Sequence, residues 1–277
     1  MSRSSRTGQI LATAAMLLGG LCAQSAQAQE VVDVELVLAV DVSLSMSPQE
    51  LEIQRRGYAA ALTDEHVLQA IAEGAYGKIA VTYFEWAGST TQHLIVPWTV
   101  IASRADAERV VAQLGANPPN SARRTSISGA LEFGADLFAE SQFRSMKRVI
   151  DISGDGPNNQ GSPVVLTRDG VVAQGIVING LPLMTSGGFT SVYDVKDLDN
   201  YYTNCVIGGA GSFMIPVNDW EQFPEAIRRK LVLELAGDFE LPADEGFPVI
   251  LAQDLQGYDC MIGEKMWRDR SFMWDAR

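Results

Sequence analysis

The sequence predicts an α/β fold in which a mostly parallel β-sheet carries helices on both faces. Stretches of β-branched and aliphatic residues, of which residues 34–40 are the most continuous, alternate along the chain with segments of helical character. Residues 78–86 and 92–100 form two strands with a very short connection, which makes that pair antiparallel. The 277 residues, 47% apolar and 20% charged, can bury a large core and exclude a disordered chain.

The predicted helices begin at recognisable capping residues. Ser47-Pro48-Gln49-Glu50 resembles a capping box with proline in the first turn, and its helix ends near Leu62. A short helical piece follows it and ends near Gly74. Ser103 and Ser126 start further helices. The remaining predicted elements are strands at residues 148–152, 176–178 and 212–217 and helices at residues 163–174 and 220–235.

The first 28 residues have the pattern of a secretory signal peptide. Arg3 and Arg6 precede an apolar stretch, and Ala26-Gln27-Ala28 supplies the small residues of a cleavage site. A lipoprotein is disfavoured, because Leu21 stands where a small residue should precede a lipidated Cys22. We therefore expect a mature chain that begins near Gln29, does not span a membrane, and is periplasmic or secreted.

Residues 29–236 are predicted to form the α/β domain, and residues 237–277 an acidic C-terminal extension that packs on it. Cleavage of the signal leaves two cysteines, Cys205 and Cys260. Because an exported compartment is oxidising, a disulfide between them is expected, with two buried free thiols as the alternative. The formal net charge of −13 argues against nucleic-acid binding, which needs a basic surface.

Oxygen-bearing side chains follow two of the predicted strands. Asp41, Ser43 and Ser45 alternate with apolar residues directly after the first strand, so an extended loop turns their oxygens to one side. Asp155 lies between two glycines after the fourth strand, and Thr125 precedes a helix. Ligands of such sheets bind beyond the carboxyl ends of strands, at the point where the strand order reverses. We expect these five side chains to meet there.

Two carboxylates and three hydroxyls suit a hard divalent cation, Mg²⁺ or Mn²⁺, rather than zinc. The two carboxylates neutralise the ion and the hydroxyls add no charge, so the metal would keep room for an incoming carboxylate. For Asp41, Ser43 and Ser45 alone, a polar loop before a helix is the alternative.

The three segments resemble the metal-ion-dependent adhesion site (MIDAS) of the von Willebrand factor type A (VWA) family, written D-x-S-x-S, then threonine, then aspartate-glycine. Asp41, Ser43 and Ser45 match the first element, Thr125 the second and Asp155 the third. The resemblance covers about residues 31–235. It implies a Rossmann-like, doubly wound, six-stranded sheet of order 3-2-1-4-5-6 with an antiparallel edge strand. It also implies direct metal contacts from the three hydroxyls, and direct or water-mediated contacts from the two aspartates.

More narrowly, residues 152–159 and Trp86-Ala87-Gly88 are similar to a group of exported bacterial VWA-like proteins without an assigned function. One departure from the VWA pattern is Arg124, which stands where glycine usually precedes the threonine. Its guanidinium would pair with an anionic ligand or point to solvent. Asn158 and Asn159 are either ligand contacts or turn-forming residues.

The sequence therefore predicts a metal-dependent binding module in which a divalent cation coordinates an acidic residue of a protein partner. We expect no enzymatic activity, because neither the GxSxG nucleophile motif nor a phosphate-binding P-loop is present. The alternatives are a Mg²⁺-dependent hydrolase of phosphate or acyl groups, with Asp155 or Asp151 as base, and a scaffold whose metal site is vestigial.

Overall fold

The computed structural model of the protein describes residues 29–185, 195, 197–236, 248–252 and 257–275. The predicted signal peptide, residues 1–28, lies outside the described residues. No helix in the described ranges has the length and apolar character needed to cross a bilayer.

The described residues contain seven strands and eight α-helices. The strands are β1 (Glu30–Asp41), β2 (Ile79–Trp86), β3 (Gln92–Ile101), β4 (Phe143–Gly154), β5 (Ile176–Pro182), β6 (Phe213–Met214) and β7 (Ile250–Leu251). The helices are α1 (Pro48–Leu62), α2 (Glu65–Ala72), α3 (Arg104–Leu114), α4 (Ile127–Ala139), α5 (Val164–Val172), α6 (Leu198–Tyr201), α7 (Phe223–Leu235) and α8 (Ile262–Asp275). A π-helical turn, Tyr202–Val206, follows α6 directly.

All strands belong to one sheet of order β3-β2-β1-β4-β5-β6-β7. The order 3-2-1-4-5-6 and the antiparallel β2–β3 pair are thus confirmed, and β1, β2, β4, β5 and β6 pair in parallel. The prediction of six strands was wrong, because β7 extends the sheet antiparallel to β6. A two-residue strand is too short to produce a periodic pattern in the sequence.

Helices cover both faces of the sheet, as predicted. Leu36 and Leu38 of β1 face a core that includes residues of α1, α2, α3 and α7. Val37 and Ala39 of the same strand face a second core built with α4, α5 and α6. Because successive side chains of a strand point to opposite faces, a strand between two helical layers buries both sets of side chains, which accounts for the uninterrupted apolar run at residues 36–40.

The local capping signals act as the sequence predicts. Ser47 and Glu50 form the complete capping box of α1, and Ser103 and Ser126 accept hydrogen bonds from the first turns of α3 and α4. Two helices were not predicted. They are α6, which lies in a stretch without a regular pattern, and α8, which lies in the C-terminal extension.

Candidate metal-binding site

The candidate site begins where β1 ends. Asp41 is the last residue of β1, and its Oδ1 accepts a hydrogen bond of 2.8 Å from the backbone N–H of Ser43. The Oγ atoms of Ser43 and Ser45 lie 2.8 Å apart. The loop therefore bends so that the carboxylate and both hydroxyls stand together, as the alternating pattern predicts.

The second segment comes from the neighbouring strand. Because β1 and β4 are parallel and adjacent, with Val40 opposite Ser153, their carboxyl ends lie at the same edge of the sheet. Asp155 follows β4 and accepts a hydrogen bond of 2.7 Å from Ser45 Oγ to its Oδ1. Two residues that are 110 positions apart in the chain are thus in direct contact.

Thr125 is held at the same edge by the loop after β4. Its backbone N–H donates to Asn159 Oδ1 at 3.0 Å, and its carbonyl accepts from Asn159 N–H at 2.8 Å. A Cβ atom built on Gly156 would lie 4.0 Å from Thr125 Oγ1, so this hydroxyl is close to the backbone beside Asp155. The structure brings all five predicted residues to one place.

Two further groups position the loop that carries Thr125. Ser43 forms a parallel bridge with Ala122, which joins this loop to the one after β1. The buried carboxylate of Glu85, at the end of β2, accepts hydrogen bonds from Asn120 N–H at 2.9 Å and Asn120 Nδ2 at 2.7 Å. Sequence reasoning missed Glu85 and did not predict that Asn159 bonds to Thr125, because nothing local indicates a partner more than thirty residues away.

The electrostatics of the site favour a cation. Asp41 is fully buried, and this burial, followed by the negative charge of Asp155, raises the pKa of its carboxyl well above the usual value. Its Oδ2 is buried and has no hydrogen-bond partner in the described part of the chain. A buried carboxylate oxygen without a partner is costly, and a bound cation would remove that cost.

The donor set fits a hard divalent cation, with two carboxylates and three hydroxyls and no nitrogen or sulfur among them. The described residues contain no group of three or more His, Cys, Asp or Glu side chains that could hold a metal ion. The fit to Mg²⁺ or Mn²⁺ therefore depends on the hydroxyls of Ser43, Ser45 and Thr125 as much as on the two carboxylates.

Arg124 replaces the usual glycine at a position that requires an unusual backbone. It has a φ of 78° and is the one non-glycine residue with positive φ among the described residues. Positive φ is readily adopted by glycine and strains other residues, which accounts for the glycine of the VWA pattern. The Arg124 guanidinium stacks on Trp267 of α8, with Cζ 3.4 Å from the ring centroid.

Asn158 lies under the site and is fully buried. Its Oδ1 accepts from Ser128 N–H at 3.0 Å, and its Nδ2 donates to Ser162 O and, at 2.7 Å, to Glu264 Oε1 of α8. Both ends of the Asn158 amide form hydrogen bonds within the protein. Asn158 therefore joins α4 and α8 to the loop after β4, and these contacts leave it no direct role toward a ligand.

Asp151, the acidic residue of β4, contacts α7. It is fully buried and forms an ion pair of 2.7 Å with Lys230 of α7, which also contacts Glu234. Burial and then the charge of Glu234 raise the pKa of Asp151 to about 7. Asp151 thus belongs to a buried charge cluster between the sheet and α7.

A cavity of about 340 Å³ opens above the site. Its lining consists of Ser43, Leu44, Ser45, Arg123, Arg124, Thr125, Asp155, Gly156, Pro157, Asn159, Gly263, Met266 and Trp267. Helix α8 forms one wall and follows directly after the predicted disulfide, Cys205–Cys260, which the structure contains.

The fold is shared with solved structures of low sequence similarity. The pilus adhesin SpaC from Lactobacillus rhamnosus GG superposes with a TM-score of 0.54 and 13% identity, over 75% of this chain and 31% of that chain. Proximal thread matrix protein 1 from the mussel byssus, described with a zinc-occupied MIDAS motif, superposes with a TM-score of 0.51 and 14% identity, over 75% of this chain and 48% of that chain. The chain therefore spans less than half the length of either protein.

These likenesses show that the chain has the VWA-like α/β fold. No curated protein is significantly similar to it in sequence. Residues 30–239, which are most of the chain, match a protein family described as "Protein of unknown function (DUF1194)". The chain belongs to that family, and within it combines a VWA-like fold with the oxygen-rich site described above.

Proposed function

We propose that the protein is an exported, metal-dependent binding module. Asp41, Ser43, Ser45, Thr125 and Asp155 would hold Mg²⁺ or Mn²⁺, and an acidic group of a protein partner would complete the coordination. The observation that carries the proposal is the buried Oδ2 of Asp41, which has no hydrogen-bond partner among the described residues and lies in the negative field of Asp155.

The charge balance of the site supports an acidic ligand. Two carboxylates match the charge of a divalent ion, while the three hydroxyls coordinate without adding negative charge. When bound, such an ion supplies a Lewis-acidic position that can accept a further carboxylate oxygen. Arg123 and Arg124 in the cavity wall add positive charge near that position.

A binding role accounts for the residues better than catalysis does. Asp151, which a hydrolase would use as a base, is fully buried and paired with Lys230. Asp155, the other candidate base, accepts a hydrogen bond from Ser45 within the candidate metal site. Both structural relatives are consistent with binding, one as a pilus adhesin and the other with zinc at its MIDAS motif.

Export is supported by two features. Residues 1–28 have the pattern of a secretory signal. The Cys205–Cys260 disulfide suits an oxidising compartment such as the periplasm or the outside of the cell.

Metal binding can be tested by titrating the protein with Mn²⁺ alone and measuring bound Mn²⁺ by electron paramagnetic resonance. We expect one Mn²⁺ per protein, with affinity lowered about 10-fold or more by Ser45→Ala and by Asp155→Asn. The matched controls are Ser162→Ala and Asp169→Asn, at residues outside the cavity lining, which should bind as the wild type does. Equal Mn²⁺ affinity in Asp155→Asn and the wild type would contradict the proposal.

The partner can be sought with immobilised protein and an envelope extract. We expect a protein to be retained in Mg²⁺, released by EDTA, and not retained by the Asp155→Asn variant. Retention that is unchanged in EDTA would show that binding does not depend on the metal.

A further inference from the structure

Helix α8 turns the edge of the sheet into a recessed pocket. Met266 and Trp267 face the cavity from one side, and the loop with Ser43 and Ser45 lies on another. Three of the five proposed ligands have little exposed surface, at 0% for Asp41, 2% for Ser43 and 6% for Thr125, whereas Ser45 and Asp155 are partly exposed. A ligand would therefore approach these oxygens through the cavity beside α8.

Several contacts hold α8 in this position. The disulfide to Cys205 fixes its start, and Glu264 accepts a hydrogen bond of 2.7 Å from the buried amide of Asn158. Gly263 packs so closely that an added Cβ would lie 2.1 Å from the carbonyl oxygen of Asn158. The helix backbone is thus in direct contact with the loop after β4, and the wall is a fixed part of the site.

The pocket has two chemically different parts. Its lining includes the hydroxyls of the candidate metal site and the carboxylate of Asp155, together with the apolar side chains of Leu44, Pro157, Met266 and Trp267. Leu44 is 52% exposed although it lies between two of the proposed ligands. A bound apolar group would cover such surfaces, and burial of apolar area is the main source of affinity in pockets of this kind.

We propose that the ligand is an amphipathic carboxylate, in which the carboxylate is carried on a slender chain beside an aromatic or aliphatic group. This inference rests on the proposed function, since the carboxylate would take the open position of the metal. The apolar group would then lie against Met266 and Trp267. A free organic acid has this chemistry, and so does an extended peptide with an acidic residue next to an apolar one.

The test uses Mn²⁺-loaded protein and isothermal titration with three probes. These are 3-phenylpropionate, acetate, and the uncharged 3-phenylpropionamide. We expect 3-phenylpropionate to bind about 10-fold or more tightly than acetate, because it also buries an aromatic ring. We expect the amide not to bind, since it lacks the charged group that the metal site selects.

Variants of α8 distinguish the contribution of the cavity wall to ligand affinity from that of the metal site. Met266→Ala should reduce the preference for 3-phenylpropionate over acetate and leave Mn²⁺ affinity unchanged. Trp267→Ala should also reduce this preference. Met261→Ala is the matched control, because Met261 lies just before α8 and does not line the cavity. It should keep the full preference.

The two sources of the ligand are distinguished by capped dipeptides. Binding of N-acetyl-Phe-Asp-amide, with no binding of N-acetyl-Phe-Asn-amide, indicates a peptide ligand. Binding of 3-phenylpropionate without the dipeptide indicates a free organic acid. Equal affinity for acetate and 3-phenylpropionate would overturn the inference and leave the proposed function standing. A protein that binds no Mn²⁺ would overturn the proposed function itself.

Discussion

Loss of the Cys205–Cys260 disulfide should release α8 from the candidate site. The perturbation is the double variant Cys205→Ala/Cys260→Ser, compared with the oxidised wild type. The two cysteines are separated by 55 positions, and closing a loop of that length stabilises the folded state by about 4 kcal/mol through chain entropy.

Two other contacts of α8 contribute a similar amount. The Asn158–Glu264 hydrogen bond and the stacking of Arg124 on Trp267 together contribute about 2–5 kcal/mol. Ordering each residue of a helix costs about 1 kcal/mol or more of backbone entropy, and an isolated helix of about this length is marginal in water. The disulfide therefore supplies a large part of what holds α8 in place, and the helix should leave its docked position more often without it.

Amide hydrogen exchange measures directly how firmly α8 is docked. In the double variant, the amides of α8 should exchange much faster than in the oxidised wild type, while those of β1 and β4 stay protected. The melting temperature should fall by no more than about 16 °C, taking about 4 °C for each kcal/mol in a chain of this size. Wild type kept in reductant should behave like the variant. Equal protection of α8 with and without the disulfide would refute the reasoning.

Three further changes have defined outcomes. Asp41→Asn replaces a buried carboxylate whose Oδ2 has no hydrogen-bond partner among the described residues. We expect this variant to lose Mn²⁺ binding and, measured without metal, to unfold at a higher urea concentration than the wild type. A lower midpoint of urea unfolding would contradict this. The pKa of Asp151 is raised to about 7 from 3.8, so the folded state keeps a proton that the unfolded chain has lost in that range. The free energy of unfolding should then fall as pH rises from about 4 to 7, and Asp151→Asn should flatten this slope in urea titrations. Gly263→Ala places a Cβ 2.1 Å from the Asn158 carbonyl and should increase hydrogen exchange in α8, whereas Gly170→Ala, which meets no atom within 4 Å, should not.

The elements that could be predicted from the sequence are those with long local patterns. β1 is apolar without interruption over residues 36–40 because both of its faces are buried there, and the capping box at Ser47 marks the start of α1. β7 and α6 were missed because each is short and lies in a stretch of sequence without a regular pattern. Helix α8 was missed because it lies in an extension whose pattern the sequence did not resolve.

The same distinction holds for the site. Asp41, Ser43 and Ser45 are close in the chain, so their alternating pattern indicates that their side chains point to the same side. Thr125 and Asp155 could be added to the predicted site because Thr125 precedes a predicted helix and Asp155 follows a predicted strand. The contacts that position them come from distant residues such as Asn159 and Glu85, whose partners are 34 and 35 positions away. Only the folded chain selects such pairs, because their energy depends on three-dimensional proximity and not on local conformation.

The sequence by itself determined the five oxygen-bearing side chains that we propose as metal ligands, the layered α/β architecture and the two cysteines that pair. Tertiary structure decided that Arg124 stacks on Trp267, that Asn158 is used internally, and that α8 forms a wall of the cavity. The physical reason is that ligand chemistry is a property of residue types, whereas the shape of a pocket depends on packing between segments that are far apart in the chain.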